Sequence, residues 1–176
     1  AMSAFGDQAL QIRANAYEGL GEWDAAIADY TQLIDDEPEN EAILIWERAR
    51  LHKRAGKHDA HLLDMLRSYE LDPDESMLFD LAWLLISTPA TELRDEAKAV
   101  DFAQQWFDLT EEADAEDYDL LACAHAATGD FEQAVELERE AVKRLSEERR
   151  TFAEARLKLF EQRQVYREPK LYSDVE

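Results

Sequence analysis

One cysteine, five glycines, four prolines and only 19 lysines and arginines against 41 acids leave this chain of 176 residues short of several kinds of chemistry. A lone Cys123 closes no intrachain disulfide, so stability has to come from packing, and the thiol reads as a small packing residue rather than a nucleophile. The shortage of cations gives a formal charge of −22, whose averaged field repels phosphate backbones and anionic lipid headgroups; nucleic acid and membrane are therefore not expected as partners. No apolar run is long enough to span a membrane, and the amino terminus lacks the charged-then-apolar layout of a secretory signal. A cytoplasmic location is expected, although Ala1 ahead of Met2 reads as a cloning remnant, so a native leader can have been lost.

Catalytic motifs are missing too. No glycine loop cradles a phosphate and no nucleophile elbow occurs. Paired carboxylates are abundant by composition alone, so none is assigned acid or base work. His58, His61 and Asp64 lie at helical spacings of three and are the one metal-ligand pattern worth stating. His58 opens a helix while His61 takes a packing position, so the two diverge and structural histidines are the expected reading. His52 and His125 stand in for aromatic or apolar stripe residues. Asp114, Glu116, Asp117 and Asp119 lack the spaced ligands and turn glycine of a calcium loop and are expected to cap and solvate a helix start. No enzyme activity, metal or cofactor is expected.

What glycine there is recurs in one setting. Gly21-Glu22-Trp23-Asp24-Ala25-Ala26-Ile27, Gly56-Lys57-His58-Asp59-Ala60-His61-Leu62 and Gly129-Asp130-Phe131-Glu132-Gln133-Ala134-Val135 are related segments, and Pro38 and Pro73 repeat the 35-residue offset of Gly21 and Gly56. A recurrence of that length means stacked supersecondary units rather than one closed core. Around each glycine the apolar residues follow helical spacing. Leu10, Ala14 and Tyr17 precede Gly21, while Ala26, Ile27, Tyr30, Leu33 and Ile34 follow it. Ile45, Ala49, Leu62, Met65 and Pro73 fill the matching places in the second unit, where His61 replaces the small Ala26, so this pair is expected to be splayed or His61 to find a polar partner. Leu78, Leu81, Ala82 and Leu85 open a third unit whose turn, Ser87 to Asp95 with Pro89, is longer; Ala99, Val100 and Ala103 resume it. Tyr118, Leu121, Ala122, Phe131, Ala134 and Ala141 make the fourth. The charged segment from Glu147 to Gln164, with Phe152, Leu157, Leu159 and Phe160 available for packing, caps the stack.

Ala14, Tyr17, Ala26, Tyr30 and Pro38 resemble the tetratricopeptide repeat pattern, with Leu10 in place of its opening tryptophan and Arg13 in place of its leucine. Leu81-Ala82-Trp83-Leu84-Leu85 with Leu93-Arg94-Asp95 and Ala99-Val100, and Leu121-Ala122 through Gly129 to Val135 with Arg156-Leu157 and Tyr166-Arg167-Glu168, are similar to a variant common in bacterial repeat proteins. The resemblance runs from Asp7 to about Gln164. It implies an all-α, right-handed α-solenoid of about four antiparallel helix pairs plus a C-terminal capping helix. The expected single domain covers residues 7–164, with units 7–40, 42–75, 75–113 and 115–148, a cap at 147–164 and flexible termini at 1–6 and 165–176. It further implies a non-enzymatic scaffold that binds a partner peptide or helix in a concave groove lined by first helices.

Counting outward from the stripes places Gln8, Gln11, Asn15 and Glu18, then Trp46, Arg50, Lys53 and Arg54, then Phe79, Trp83 and Ile86, then Asp119, Cys123 and Ala126 on that surface. Trp46, Phe79 and Trp83 are candidate apolar anchors. Arg50, Lys53 and Arg54 belong to the acid-free stretch Arg48 to His58, a basic spot suited to an acidic partner, with Arg50 offering paired hydrogen bonds to a carboxylate. The opposing reading of these cations is a solvated helix end, and of the aromatics, burial against neighbouring helices. Tetratricopeptide domains that grip chaperone C-termini use lysines and asparagines on successive first helices. Asn15 matches one of them, but Gln11 and Asp119 stand where cations are needed, so chaperone binding is not carried over. The rival functions are a homodimeric structural spacer and a metal-dependent enzyme built on His58, His61 and Asp64.

Overall fold

The structure is a computed structural model and describes residues 4–36 and 38–167. Among these residues there are nine α-helices and no strand. Two compact units divide the chain, Ala1–Asp74 and Glu75–Glu176. The first contains α1 (Ala4–Leu20), α2 (Trp23–Asp36), α3 (Glu41–Arg54) and α4 (His58–Leu71). The second contains α5 (Leu78–Ser87), α6 (Glu96–Leu109), α7 (Ala115–Ala127), α8 (Phe131–Arg144) and α9 (Glu147–Glu161). In both, consecutive helices pair antiparallel: α1 with α2 and α3 with α4 in the first, α5 with α6 and α7 with α8 in the second, where α9 packs on α8. The fold is an all-α helical repeat of the solenoid class.

The three recurring glycines end α1, α3 and α7 by the same device. Gly21, Gly56 and Gly129 take φ of +74°, +69° and +87°, the left-handed region that side chains resist. There the glycine N–H donates three residues back, and the next N–H donates five back, as in Glu22 to the Tyr17 carbonyl (2.9 Å), Lys57 to His52 (2.9 Å) and Asp130 to His125 (3.0 Å). These bonds satisfy the orphan carbonyls of the helix end and reverse the chain within three residues. The longer turn before α6 is ordered too: Thr91–Leu93 forms a single 3-10 turn, and Arg94 Nε donates to the Thr88 carbonyl at 2.9 Å. Asp95, Asp114 and Asp130 cap α6, α7 and α8 by accepting backbone N–H bonds, and Asp114 and Asp117 form a reciprocal capping box.

Small residues hold the paired helices close. Ala14, Ala26, Ala49, Ala82, Ala99, Ala122 and Ala134 are all fully buried, with Leu33, Leu62, Leu78, Leu81 and Leu85 filling the space beside them. His61, at the position of Ala26 and Ala134, is buried and donates from Nδ1 to the Ala49 carbonyl at 2.9 Å, so the second pair keeps its contact by a hydrogen bond.

Arg13, the departure from the apolar pattern, grips Asp29 of α2 through Nε at 2.8 Å and Nη2 at 2.6 Å. Thirty-five residues on, Arg48 grips Asp64 of α4 the same way, both contacts at 2.8 Å. These bidentate pairs lock first helix to second helix in both repeats of the first unit. The matching positions of the fourth repeat hold Leu121 and Leu137, both buried.

The ends differ from expectation. Residues 4–6 form the first turn of α1 rather than a flexible terminus, whereas residues 1–3 and 168–176 lie outside the described residues. Val165 to Arg167, placed in the expected flexible terminus, are half-buried, Tyr166 lying under the Arg156 guanidinium and Arg167 pairing with Glu96 at 3.2 Å. Phe152, expected to pack, is 60% exposed; Ala153, Arg156 and Phe160 form the inward face of α9.

Asp64→Ala leaves Arg48 half-buried without its partner and is expected to destabilise by about 1–3 kcal/mol. The double change Arg48→Leu with Asp64→Leu, which copies Leu121 and Leu137, is expected to recover most of that loss in urea unfolding. A double variant as unstable as Asp64→Ala shows that these positions of the first unit do not accept the apolar solution of the fourth repeat.

Candidate partner-binding surface

On α3 the spacing i, i+4, i+7 sets Trp46, Arg50 and Lys53 in one row. Trp46 is 38% exposed, and the Arg50 guanidinium lies 5.4 Å from its ring centre, a cation–π contact. Arg50 also reaches Glu47 on its own helix and Glu18 of α1, the latter at 3.1 Å. Arg54 lies 5.6 Å from the Trp23 ring and 3.8 Å from the same Glu18. Asn15 of α1 is exposed and accepts at 3.4 Å from the buried Tyr30 hydroxyl, whose pKa is raised chiefly by burial.

These contacts change the meaning of the basic stretch. Arg48 belongs to Asp64, Arg50 to Glu18 and Glu47, Arg54 to Glu18, and Lys57 reaches Asp24 at 2.5 Å. Lys53 is exposed and makes no ion pair among the described residues. Four of the five cations thus face four carboxylates, drawn from α1, α2, α3 and α4. The expected basic spot is reduced to Lys53 beside a pre-aligned Arg50.

The second unit does not expose all the anchors expected from its sequence. Phe79 is half-buried, edge-on to Trp106 at 5.8 Å, and Trp106 in turn donates to Asp117 at 2.7 Å. Phe79 is therefore part of the packing between α5 and α6 rather than a free anchor. Trp83 is half-buried. Ile86, Asp119, Cys123 and Ala126, placed on the surface by counting, are all buried.

Asp119 belongs to a buried ionic cluster. Arg156 of α9 reaches Asp119 of α7 at 2.7 Å and Glu138 of α8 at 3.3 Å, so one guanidinium stands between two carboxyls. Glu138 is fully buried. Burial first, and then the neighbouring Asp119, push its carboxyl up to about 9, against the pull of Arg156. A proton on Glu138 makes the cluster neutral. Burial also pushes the Cys123 thiol up, reinforced by Asp119, which removes the thiolate a nucleophile needs. Sequence reasoning missed Glu138 and Arg156. The signal was available, because Glu138 stands where the repeat offset puts Tyr30 and an acid at a buried aromatic position demands a partner.

The proposed metal ligands do not converge. His58 is exposed, His61 bonds the Ala49 carbonyl and Asp64 holds Arg48 with both oxygens. Among the described residues no group of three histidine, cysteine or acidic side chains is arranged to hold a metal ion. His52, half-buried 3.5 Å from Asp64, has its pKa lowered by burial. No described helix is long and apolar enough to cross a membrane.

No family model matches the chain, and no curated protein matches it. Among solved structures, it is similar to the crystal structure of MamA protein, with a TM-score of 0.66 and 14% identity over 89% of this chain and 81% of that one. The likeness is one of fold: a tetratricopeptide-like helical repeat.

Because its folded-state pKa is raised, Glu138 contributes stability that is present at low pH and lost as pH rises from the ordinary carboxyl range toward about 9. The expected slope is up to about 1.4 kcal/mol per pH unit, and Glu138→Gln should remove it while preserving the fold. Urea unfolding of both proteins from acid to mildly alkaline pH reads this directly. Parallel profiles would show that Glu138 is ionised in the folded chain.

Proposed function

We propose that the chain is a non-enzymatic protein-interaction scaffold that binds an extended or helical segment of another protein along the first helices of its pairs. One observation carries this reading: on α3 a partly exposed tryptophan, Trp46, is stacked by a guanidinium held in place by Glu18 and Glu47, one turn from an exposed Lys53. An aromatic of that kind offers apolar area with little side-chain entropy to lose, and a neighbouring cation gives register to a carboxylate. The partner is then a segment with an apolar residue for Trp46 and an acid for Lys53 and Arg50, with Asn15 as a further polar contact. Arg54, held by Glu18 and Trp23, shapes the border of this surface. Trp83 of the second unit is a separate, half-buried contact in the proposal, and Phe79 is omitted because it packs on Trp106. A cytoplasmic setting and a bacterial scaffold role are parts of the same proposal.

Reversing Arg50 would place three carboxylates together, so Lys53→Glu and Trp46→Ala are the cleaner tests. The double variant is expected to keep the wild-type circular dichroism and thermal midpoint while losing tenfold or more in affinity for the partner recovered with the native chain. Undiminished binding by a folded Trp46→Ala/Lys53→Glu protein would remove this surface from the mechanism.

A further inference from the structure

The exposed half of α1 is unusual for so acidic a chain. Gln8, Ala9, Gln11, Ile12, Asn15, Ala16, Gly19 and Leu20 are all exposed, Ile12 at 69% and Leu20 at 72%, and none is ionisable. The charged residues at its borders are occupied, Arg13 by Asp29 and Glu18 by Arg50. Ala9, Ile12, Ala16 and Gly19 follow each other at steps of three and four, the spacing of a seam that packs against another helix.

The repeat shows what this face does elsewhere. Thirty-five residues on, Ala9 and Ala16 correspond to Leu44 and Leu51 of α3, which are buried in the cluster containing Tyr30 and Leu33 of α2. Ile12 and Gly19 correspond to Glu47 and Arg54. On α1 the face used for helix packing has therefore lost both charges and has exchanged its two leucines for alanines, so that a neighbouring backbone can approach closely.

We infer that this face pairs two copies of the chain, α1 against α1, antiparallel about a two-fold axis near Ala14. Charge selects the occupant. A second copy also carries a formal charge of −22, and the α1 face lets two such chains meet without placing carboxylate against carboxylate. The register is self-complementary, as a two-fold contact requires. Ile12 of each copy lies over Ala16 of the other, large into small, and Ala9 lies against Gly19, while the opposed helix dipoles attract. On the flank of this seam Arg13 falls beside Arg13 of the other copy, each guanidinium already neutralised by its own Asp29. The inference rests on α1 alone and uses neither Trp46 nor Lys53; Asn15, at the edge of this face, is the residue it shares with the proposed partner surface.

Sedimentation velocity from low micromolar to several hundred micromolar is expected to show the mass rising from monomer to dimer. Moderate salt should strengthen the association, because it screens the repulsion between two acidic chains and leaves an apolar contact intact. Ile12→Glu with Ala16→Glu, both at exposed helical positions, is expected to weaken association at least tenfold with unchanged circular dichroism. Ala9→Cys with Gly19→Cys, read on oxidation, tests the register: the double variant should form a covalent dimer and either single variant should not. A chain that stays monomeric throughout the range overturns the inference. So does a dimer indifferent to Ile12→Glu/Ala16→Glu, or cross-linking through Ala9→Cys alone.

Discussion

Everything in this fold depends on how closely two antiparallel helices can lie. The fully buried alanines of each pair leave no side-chain bulk between the backbones, so the flanking leucines interdigitate and the apolar stripes are removed from water. One substitution at this contact, His61, survives because the Ala49 carbonyl is within hydrogen-bond reach. The glycine turns after α1, α3 and α7 serve the same constraint, because a reversal within three residues returns the next helix directly alongside the last.

Cations are scarce here, and most of those described have structural work. Arg13 and Arg48 join first to second helices in two successive repeats, Arg50 and Arg54 converge on Glu18, Lys57 reaches Asp24, and Arg156 ties the last helix to two acids. In an acidic chain such pairing neutralises carboxylates where helices meet; Asp117, buried without a cation, accepts instead from Trp106 and the Asp114 N–H. The consequence for recognition is that a run of basic residues in sequence is not a basic patch in space. After pairing, the first unit presents a stacked tryptophan and arginine, an exposed lysine, and one uncharged helix face.

The fold was readable because its signals are local and repeated. Helical spacing, glycine at the turn and aspartate at the cap act within a few residues, and their recurrence at fixed offsets confirmed each instance. Ala14, Ala26, Ala49, Ala122 and Ala134 lie in the core as that pattern requires. The candidate surface was only partly readable. Counting from the stripe put Trp46 and Lys53 outside correctly, yet it also put Asp119, Cys123 and Ala126 outside, because it ignores what other elements lay over a helix. Asp119 is covered where Arg156 reaches it from α9, a contact between residues 37 apart that no helical period encodes. Phe152, expected to pack, lies outside and Arg156 lies inside for the same reason: an apolar residue stays in water when the neighbouring face is filled, and a cation enters when buried acids await it.

Sequence by itself determined the helices, their turns, the pairing of neighbours and the alanine contact on which pairing depends, since these follow from interactions within one repeat length. Only the tertiary structure decided which charges are free and which helix faces stay open. Those properties depend on the partner each side chain finds across the helix interface, and that partner can lie 16 residues away, as for Arg13 and Asp29, or 71, as for Arg167 and Glu96.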